Sequence, residues 1–235
     1  PLQRKSGLSV LRPQPSAEKE DNLQKGACKM RLFTIKPYWN MMIARRDASV
    51  NKSYTMKIAG LTRDLPLCRV NDQLYIGAFI IFGDVELTRA CAAALLEKAP
   101  PHDIMITAEA KGIPLIYEMA RQAGENHYII ARKAPKLYMQ DVVSTDVNSI
   151  TTDHLQSLYL GHDEVELIRG RRVLIVDDVI STGESLEAIE RLVTQVGGNI
   201  VGRMAILAEG DAQERDDILY LEKLPVFNPD GTIKG

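Results

Sequence analysis

The feature that most constrains the fold is a continuous apolar run at residues 173–176, Val-Leu-Ile-Val, which ends in two adjacent acids, Asp177 and Asp178. Uninterrupted apolar runs of this kind are typical of strands that are buried on both faces of a parallel sheet. A short loop follows, and residues 183–196 have helical spacing before a pair of glycines ends the pattern. We therefore expect a strand, a loop and a helix, which is the repeating unit of α/β folds.

The same alternation of strands and helices recurs on both sides of this unit. Apolar periodicity predicts helices at 85–98 and 112–124, and strands at 54–58, 74–82, 103–108, 127–131 and 200–208. Connections between such elements build a doubly wound parallel sheet. Ligands of these sheets bind outside the carboxyl ends of the strands.

Two segments lack this regularity. Residues 1–52 hold 11 Lys and Arg against 4 Asp and Glu and show no apolar periodicity, so we expect a disordered or loosely attached basic leader. The remaining chain, 53–235, is expected to form the folded domain. Within it, periodicity fails at about 134–162, which predicts a long irregular loop, and long loops in compact domains commonly act as lids.

Composition excludes several classes of protein. The chain has 29 basic and 31 acidic residues, a net charge of −2, so no global positive field indicates a nucleic-acid partner. Its three cysteines form neither a metal-type pair nor a disulfide framework, and a cytoplasmic location fits them best. No apolar run approaches the roughly 18 to 20 residues that span a bilayer.

The segment that follows the apolar run has the chemistry of a site for a phosphorylated sugar. Backbone N–H groups at a helix N-terminus favour a phosphate, and hydroxyl side chains add donors. The two carboxylates can accept hydrogen bonds from vicinal sugar hydroxyls. The ribose is thus assigned to Asp177 and Asp178, and its 5'-phosphate to Ser181, Thr182, Gly183, Glu184 and Ser185. Either half of this pattern alone is also compatible with a Mg²⁺ site or with ordinary helix capping.

Together the two halves resemble the thirteen-residue signature of type I phosphoribosyltransferases at nearly every position. Three further motifs extend the resemblance over about residues 54–227. The sequence Glu-Ala-Lys-Gly is similar to the pyrophosphate loop of the adenine enzymes, which implies pyrophosphate contacts from Ala110, Lys111 and Gly112. The resemblance also implies the type I phosphoribosyltransferase fold with a small hood, at about 53–75 plus a C-terminal segment, and a mobile loop at about 134–162.

The other two motifs concern the loop and the hood. Residues 130–136 resemble the family's Arg-Lys segment before the mobile loop, which implies pyrophosphate contacts from Arg132, Lys133 and Lys136 and catalytic roles for Arg132 and Lys136. Residues 60–66 resemble the part of the hood that covers the purine. Base contacts are therefore expected from Arg63, Asp64 and Leu65.

The implied activity is transfer of the phosphoribosyl group of 5-phosphoribosyl-1-pyrophosphate to a purine base in purine salvage. The resemblance implies Mg²⁺ as cofactor, held mainly by the substrate's pyrophosphate and ribose without a dedicated protein cage, and a homodimer. Residues 136–140 and 147–152 depart from the adenine enzymes, and the second stretch is more similar to xanthine enzymes and to purine repressors. Adenine is favoured, xanthine and hypoxanthine stay open, and the alternative function is a non-catalytic transcriptional regulator that senses phosphoribosyl pyrophosphate.

Overall fold

The computed structural model describes residues 52–147 and 156–234, which all fall in one compact unit, Ser49–Gly235. The basic leader expected at residues 1–52 lies outside the described residues, except for Lys52. The described residues contain four α-helices, none of which is both long and apolar enough to cross a membrane: α1 (Val85–Leu96), α2 (Ile113–Ala123), α3 (His162–Ile168) and α4 (Glu184–Gln195).

Eleven strands lie among the described residues. They are β1 (Ser53–Ile58), β2 (Leu61–Asn71), β3 (Leu74–Gly77), β4 (Ile104–Ala108), β5 (Ile129–Ala131), β6 (Val143–Val147), β7 (Gln156–Leu160), β8 (Arg172–Ile180), β9 (Asn199–Glu209), β10 (Leu219–Leu224) and β11 (Val226–Phe227).

The central sheet has five parallel strands in the order β10-β9-β8-β4-β5, which confirms the predicted fold class. Successive residues of a strand point to opposite faces of its sheet. In β8, Val173 and Ile175 belong to the cluster built with α3 and α4, whereas Leu174 and Val176 belong to the cluster built with α1 and α2. The apolar run is continuous because helices cover both faces of this strand.

All five strands run the same way, so their carboxyl ends meet at one edge of the sheet. The turn after β4, the residues after β5, the last part of β8 and the end of β9 all lie at this edge. The site must be built there. The strand of β8 is longer than expected, and it continues through the two acids to Ile180.

A second sheet is antiparallel and has the order β1-β2-β3-β11. It contains the segment expected to be a hood, together with the C-terminal strand. The prediction of a strand at 74–82 is wrong beyond Gly77, where β3 ends. Phe79 and Ile81 are buried while Ile80 and Phe82 are exposed, so this segment has the alternation of a strand although β3 ends before it.

The stretch 134–162 is not irregular, contrary to expectation. Its middle forms an antiparallel hairpin in which Val143 of β6 pairs with Leu160 of β7, and the intervening residues 148–155 lie outside the described part. Leu158 and Leu160 are buried against the α4 side of the central sheet. The hairpin was missed because β6, Val-Ser-Thr-Asp-Val, contains too few apolar residues to show periodicity. The expectation that this stretch is mobile stays a prediction.

Candidate active site

Two adjacent carboxylates occupy the carboxyl-terminal part of β8. Asp178 is 2% exposed and Asp177 is half-buried. The backbone N–H of Asp178 donates to Oδ1 of Asp177 at 2.8 Å, which fixes the first carboxylate in place. Burial raises the pKa of Asp177, the nearby carboxylate of Asp178 raises it further, and Lys111 partly lowers it. Negative charge on Asp177 is therefore disfavoured unless a partner neutralises it.

The pyrophosphate loop predicted from the sequence lies against these acids. Nζ of Lys111 is 2.9 Å from Oδ2 of Asp178, an ion pair that joins the loop to β8. The approach lacks hydrogen-bond geometry, so Oδ2 has no hydrogen-bond partner among the described residues. This oxygen is compensated by the ammonium of Lys111, and it keeps the capacity to accept a hydrogen bond from a ligand.

Gly112 is required by close packing. A Cβ atom at this position would lie 2.1 Å from Oγ1 of the fully buried Thr107 and 3.2 Å from Oδ1 of Asp177. The φ angle of Gly112 is −69°, so sterics alone demand glycine. The contact brings the loop backbone against the carboxylate, and the peptide bond between Glu109 and Ala110 in the same turn is cis.

The predicted phosphate loop connects β8 to α4. Gly183 precedes the helix with φ +82°, a left-handed conformation that favours glycine, and no side chain among the described residues caps the helix. A cavity of about 60 Å³ lies at this turn, and it is lined by Asp177, Val179, Ile180, Ser181, Thr182, Gly183, Glu184, Ser185 and Leu186. The five residues predicted to bind the 5'-phosphate therefore share one concave turn beside Asp177.

The basic segment after β5 begins beside the same loop. Nη1 of Arg132 is 3.7 Å from Oε1 of Glu109, and the backbone N–H of Lys133 donates to Oε2 of Glu109 at 2.9 Å. Lys136 is half-buried in the turn that follows, and its backbone N–H donates to Sδ of Met139 at 3.3 Å. Within residues 52–147 and 156–234, no ion pair joins Lys136 to an acid.

The three residues expected to contact the base do not share one face of β2. Leu65 is buried in the core, and Asp64 is exposed on the opposite face. Arg63 donates to Asp84 at 2.6 and 3.1 Å and to Glu86 at 2.8 Å, an arrangement that lowers the pKa of Asp84. Base recognition by this segment stays a prediction.

Sequence reasoning overlooked three charged residues near this edge. Glu109 is the first residue of the Glu-Ala-Lys-Gly motif, in which pyrophosphate contacts were predicted only for the three residues that follow it. Glu209 ends β9, and burial raises its pKa while Lys111 lowers it. Nη1 of Arg215 lies 3.1 Å from the place where a Cβ atom on Gly183 would stand. Helical or strand periodicity gives no signal for such residues, because they follow strand ends in irregular turns.

The chain is similar to known proteins over much of its length. Residues 87–227 match the model of the phosphoribosyl transferase domain. An adenine phosphoribosyltransferase from Oenococcus oeni is 32% identical over 152 residues, which cover 62% of this chain and 81% of that protein. One from Thermotoga petrophila is 37% identical over 107 residues, but the match covers only 46% of this chain and 59% of that protein.

Solved structures show the same fold. Adenine phosphoribosyltransferase from Rhodothermus marinus superposes with a TM-score of 0.53 at 23% identity and covers 73% of this chain and 94% of its own. The enzyme from Thermoanaerobacter pseudethanolicus gives a TM-score of 0.53 at 24% identity, with 61% and 84% covered. With the domain match over more than half of its length, the chain belongs to the type I phosphoribosyltransferase family.

Proposed function

We propose that this chain transfers the phosphoribosyl group of phosphoribosyl pyrophosphate to a purine base and releases pyrophosphate. The observation that supports this most is the position of the Asp177–Asp178 pair, between the N-terminus of α4, which no described side chain caps, and the ammonium of Lys111. These three features match the three parts of the substrate. The phosphate would bind at the helix, the sugar diol at the carboxylates and the diphosphate at the cation.

The reaction breaks the bond between C1 of the ribose and the diphosphate oxygen, and a ring nitrogen of the base forms the new bond to C1. The base loses one N–H proton in this step, and an oxygen of the departing diphosphate can accept it. Positive charge develops on the ribose ring in the transition state, while negative charge leaves on the diphosphate. Lys111 and Arg132, both at the same sheet edge, would stabilise the leaving group. Lys133 and Lys136 lie on the segment that would close over it, and closure excludes water from the reacting atoms.

The residues at this edge fit Mg²⁺ as a cofactor. The donors are carboxylate oxygens, which this hard cation prefers, and Oδ2 of Asp178 has no hydrogen-bond partner among the described residues. No cluster of three or more acidic, histidine or cysteine ligands is present in the part of the chain described. Mg²⁺ would thus be held mainly by the substrate's diphosphate and ribose, with Asp177 and Asp178 nearby. When bound, it neutralises charge on the diphosphate.

Adenine is the base that the relatives favour, because those compared above are named adenine phosphoribosyltransferases. They are also enzymes, which favours catalysis over the regulator. Xanthine and hypoxanthine stay open, because residues 136–140 and 147–152 both depart from the adenine pattern and the second stretch is more similar to that of xanthine enzymes. Incubation with phosphoribosyl pyrophosphate, Mg²⁺ and a panel of bases, with pyrophosphate release as the measurement, identifies the acceptor.

The site itself is tested by binding. The double variant Asp177→Asn with Asp178→Asn keeps the shape of both side chains but removes their charge. Calorimetry should detect no binding of phosphoribosyl pyrophosphate by this variant. Its circular dichroism spectrum should match that of the wild type, which shows that the fold is intact. The matched control is Asp103→Asn, which removes an exposed acid paired with Arg172 at the other end of the sheet. Unchanged binding by the double variant would remove the assignment.

We also propose that the protein forms a homodimer. Four large apolar side chains are at least half exposed around the start of α1 and the side of α2: Ile80, Phe82, Val85 and Tyr117. Val85 and Tyr117 line one cavity of about 210 Å³. Grouped apolar surface of this kind is characteristic of protein interfaces.

A further inference from the structure

One carboxylate at the candidate site has no place in the assignment above. Glu109 follows β4 directly, and it stands between the loop that carries Lys111 and the segment that begins with Arg132. Its side chain is 24% exposed. A negative charge beside the expected diphosphate site repels that ligand. The carboxylate of Glu109 must therefore have another role that outweighs this repulsion.

The two oxygens of Glu109 have different partners. Oε2 accepts the backbone N–H of Lys133 at 2.9 Å, and Oε1 faces Nη1 of Arg132 at 3.7 Å. The first contact fixes the main chain where the basic segment begins. The contact with Oε1 holds the guanidinium of Arg132 toward the loop that carries Lys111. An opposite charge at this distance favours one orientation of the long and flexible arginine side chain.

The main chain of Arg132 is held from the other side as well. Its N–H donates to the carbonyl of Tyr159 at 2.9 Å, and the N–H of Tyr159 donates to the carbonyl of Arg132 at 2.8 Å. β7 therefore fixes the backbone of Arg132, whereas Glu109 fixes its side chain. The N–H of Glu109 in turn donates to the carbonyl of Ala131 at 2.9 Å, which continues the β4–β5 pairing by one residue.

We propose that Glu109 is a positioning residue for phosphoribosyl transfer: it holds Arg132 and the start of the basic segment against the loop that carries Lys111. The inference rests on the proposed function, since it assigns Glu109 a role in the same site. The benefit of one oriented cation exceeds the repulsion from one acid, because displacement of a catalytic group by about 1 Å can cost on the order of 100-fold in rate.

The experiment separates positioning from simple structural support by a double-mutant cycle. The variants are Glu109→Ala, Arg132→Ala and the combination of both. kcat and KM for phosphoribosyl pyrophosphate are measured, together with the affinity for inorganic pyrophosphate and for the nucleoside monophosphate product by calorimetry. Glu166→Gln, which breaks an exposed Glu–Arg pair on α3, is the matched control.

We expect Glu109→Ala to lower kcat/KM by about 10- to 100-fold and to weaken pyrophosphate binding, with product affinity within about threefold of the wild type. Glu109→Gln should recover part of the loss, because its amide oxygen can still accept the N–H of Lys133. The combined variant should lose less than the sum of the two single losses, since part of the effect of Glu109 passes through Arg132.

Additive losses in the combined variant would overturn the proposal, as would equal losses of pyrophosphate and product binding. A wild-type protein that binds neither phosphoribosyl pyrophosphate nor pyrophosphate would instead refute the proposed function, and this inference with it. If the wild type binds both ligands and Glu109→Ala has unchanged kcat/KM and pyrophosphate affinity, the positioning role alone is refuted.

Discussion

Single residues at this edge are held in states that favour function over stability. Asp177 is the clearest case, because burial and the charge of Asp178 raise its pKa above the ordinary value. A carboxyl whose pKa is higher in the folded state than in the unfolded state destabilises the fold once it ionises. The penalty begins above the ordinary pKa of about 4 and grows until the pH passes the raised value.

This linkage gives a prediction for Asp177→Asn. The variant should be more stable than the wild type at pH 8, by about 1 kcal/mol after allowance for the partial exposure of the side chain. At pH 4 most of the advantage should vanish, because the carboxyl is then protonated in the folded state and about half protonated in the unfolded state. Thermal unfolding at the two pH values measures the difference. If Asp177→Asn is more stable than the wild type by the same amount at both pH values, the charge of Asp177 is not the source of the difference.

Lys111 should act on the leaving group and not on the product. Lys111→Ala is expected to lower kcat/KM by on the order of 100-fold. The affinity for the nucleoside monophosphate should change by less than about threefold, since that product carries no diphosphate. Steady-state kinetics and calorimetry supply the two numbers. If both fall equally, Lys111 supports the fold of the loop.

At the scale of elements, the pyrophosphate loop depends on how closely its backbone approaches β4. Gly112→Ala would place a Cβ atom 2.1 Å from Oγ1 of Thr107, so the loop must move away from Asp177. We expect a loss of about 1 to 3 kcal/mol in the free energy of unfolding and a loss of turnover. Urea denaturation and initial rates are the measurements.

A compensating change makes this prediction specific. Thr107→Ala removes the hydroxyl that the new Cβ atom would meet, although the Cβ atom of residue 107 stays 3.3 Å away. The double variant Thr107→Ala with Gly112→Ala should therefore recover part of the stability that Gly112→Ala loses. Strictly additive losses would show that the hydroxyl is not the obstacle.

At the scale of the whole molecule, the exposed apolar surface of α1 and α2 predicts self-association. Val85→Glu places a charge on a residue that is 70% exposed, so it should convert a dimer to a monomer without harm to the core. Sedimentation velocity at several protein concentrations measures the change. Val142→Glu, at another partly exposed apolar position, is the control, and a wild-type monomer would contradict the prediction.

Four of the five central strands were predictable because they carry their own signal, whereas β10 was not, since Leu224 is its only buried residue. Continuous apolar runs and 3.6-residue spacing identify elements that are buried on one or both sides, and Val173 to Val176 is the clearest example. The hairpin was not predictable, since β6 is mostly polar and its stability comes from pairing with β7. In the site, motif residues were found by type and spacing. Contacts between motifs, such as Glu109 with Lys133, depend on tertiary structure.

The ion pairs of Lys111 with Asp178 and of Arg132 with Glu109 also affect selectivity. Each cation already has an internal counter-ion, so free phosphate or sulfate gains little by binding there. A small anion would have to displace a carboxylate that is tethered to the protein. A ligand that brings a diphosphate and a diol together engages the cations and the acids at once. Charge balance in the site should therefore make free phosphate and sulfate weaker ligands than phosphoribosyl pyrophosphate.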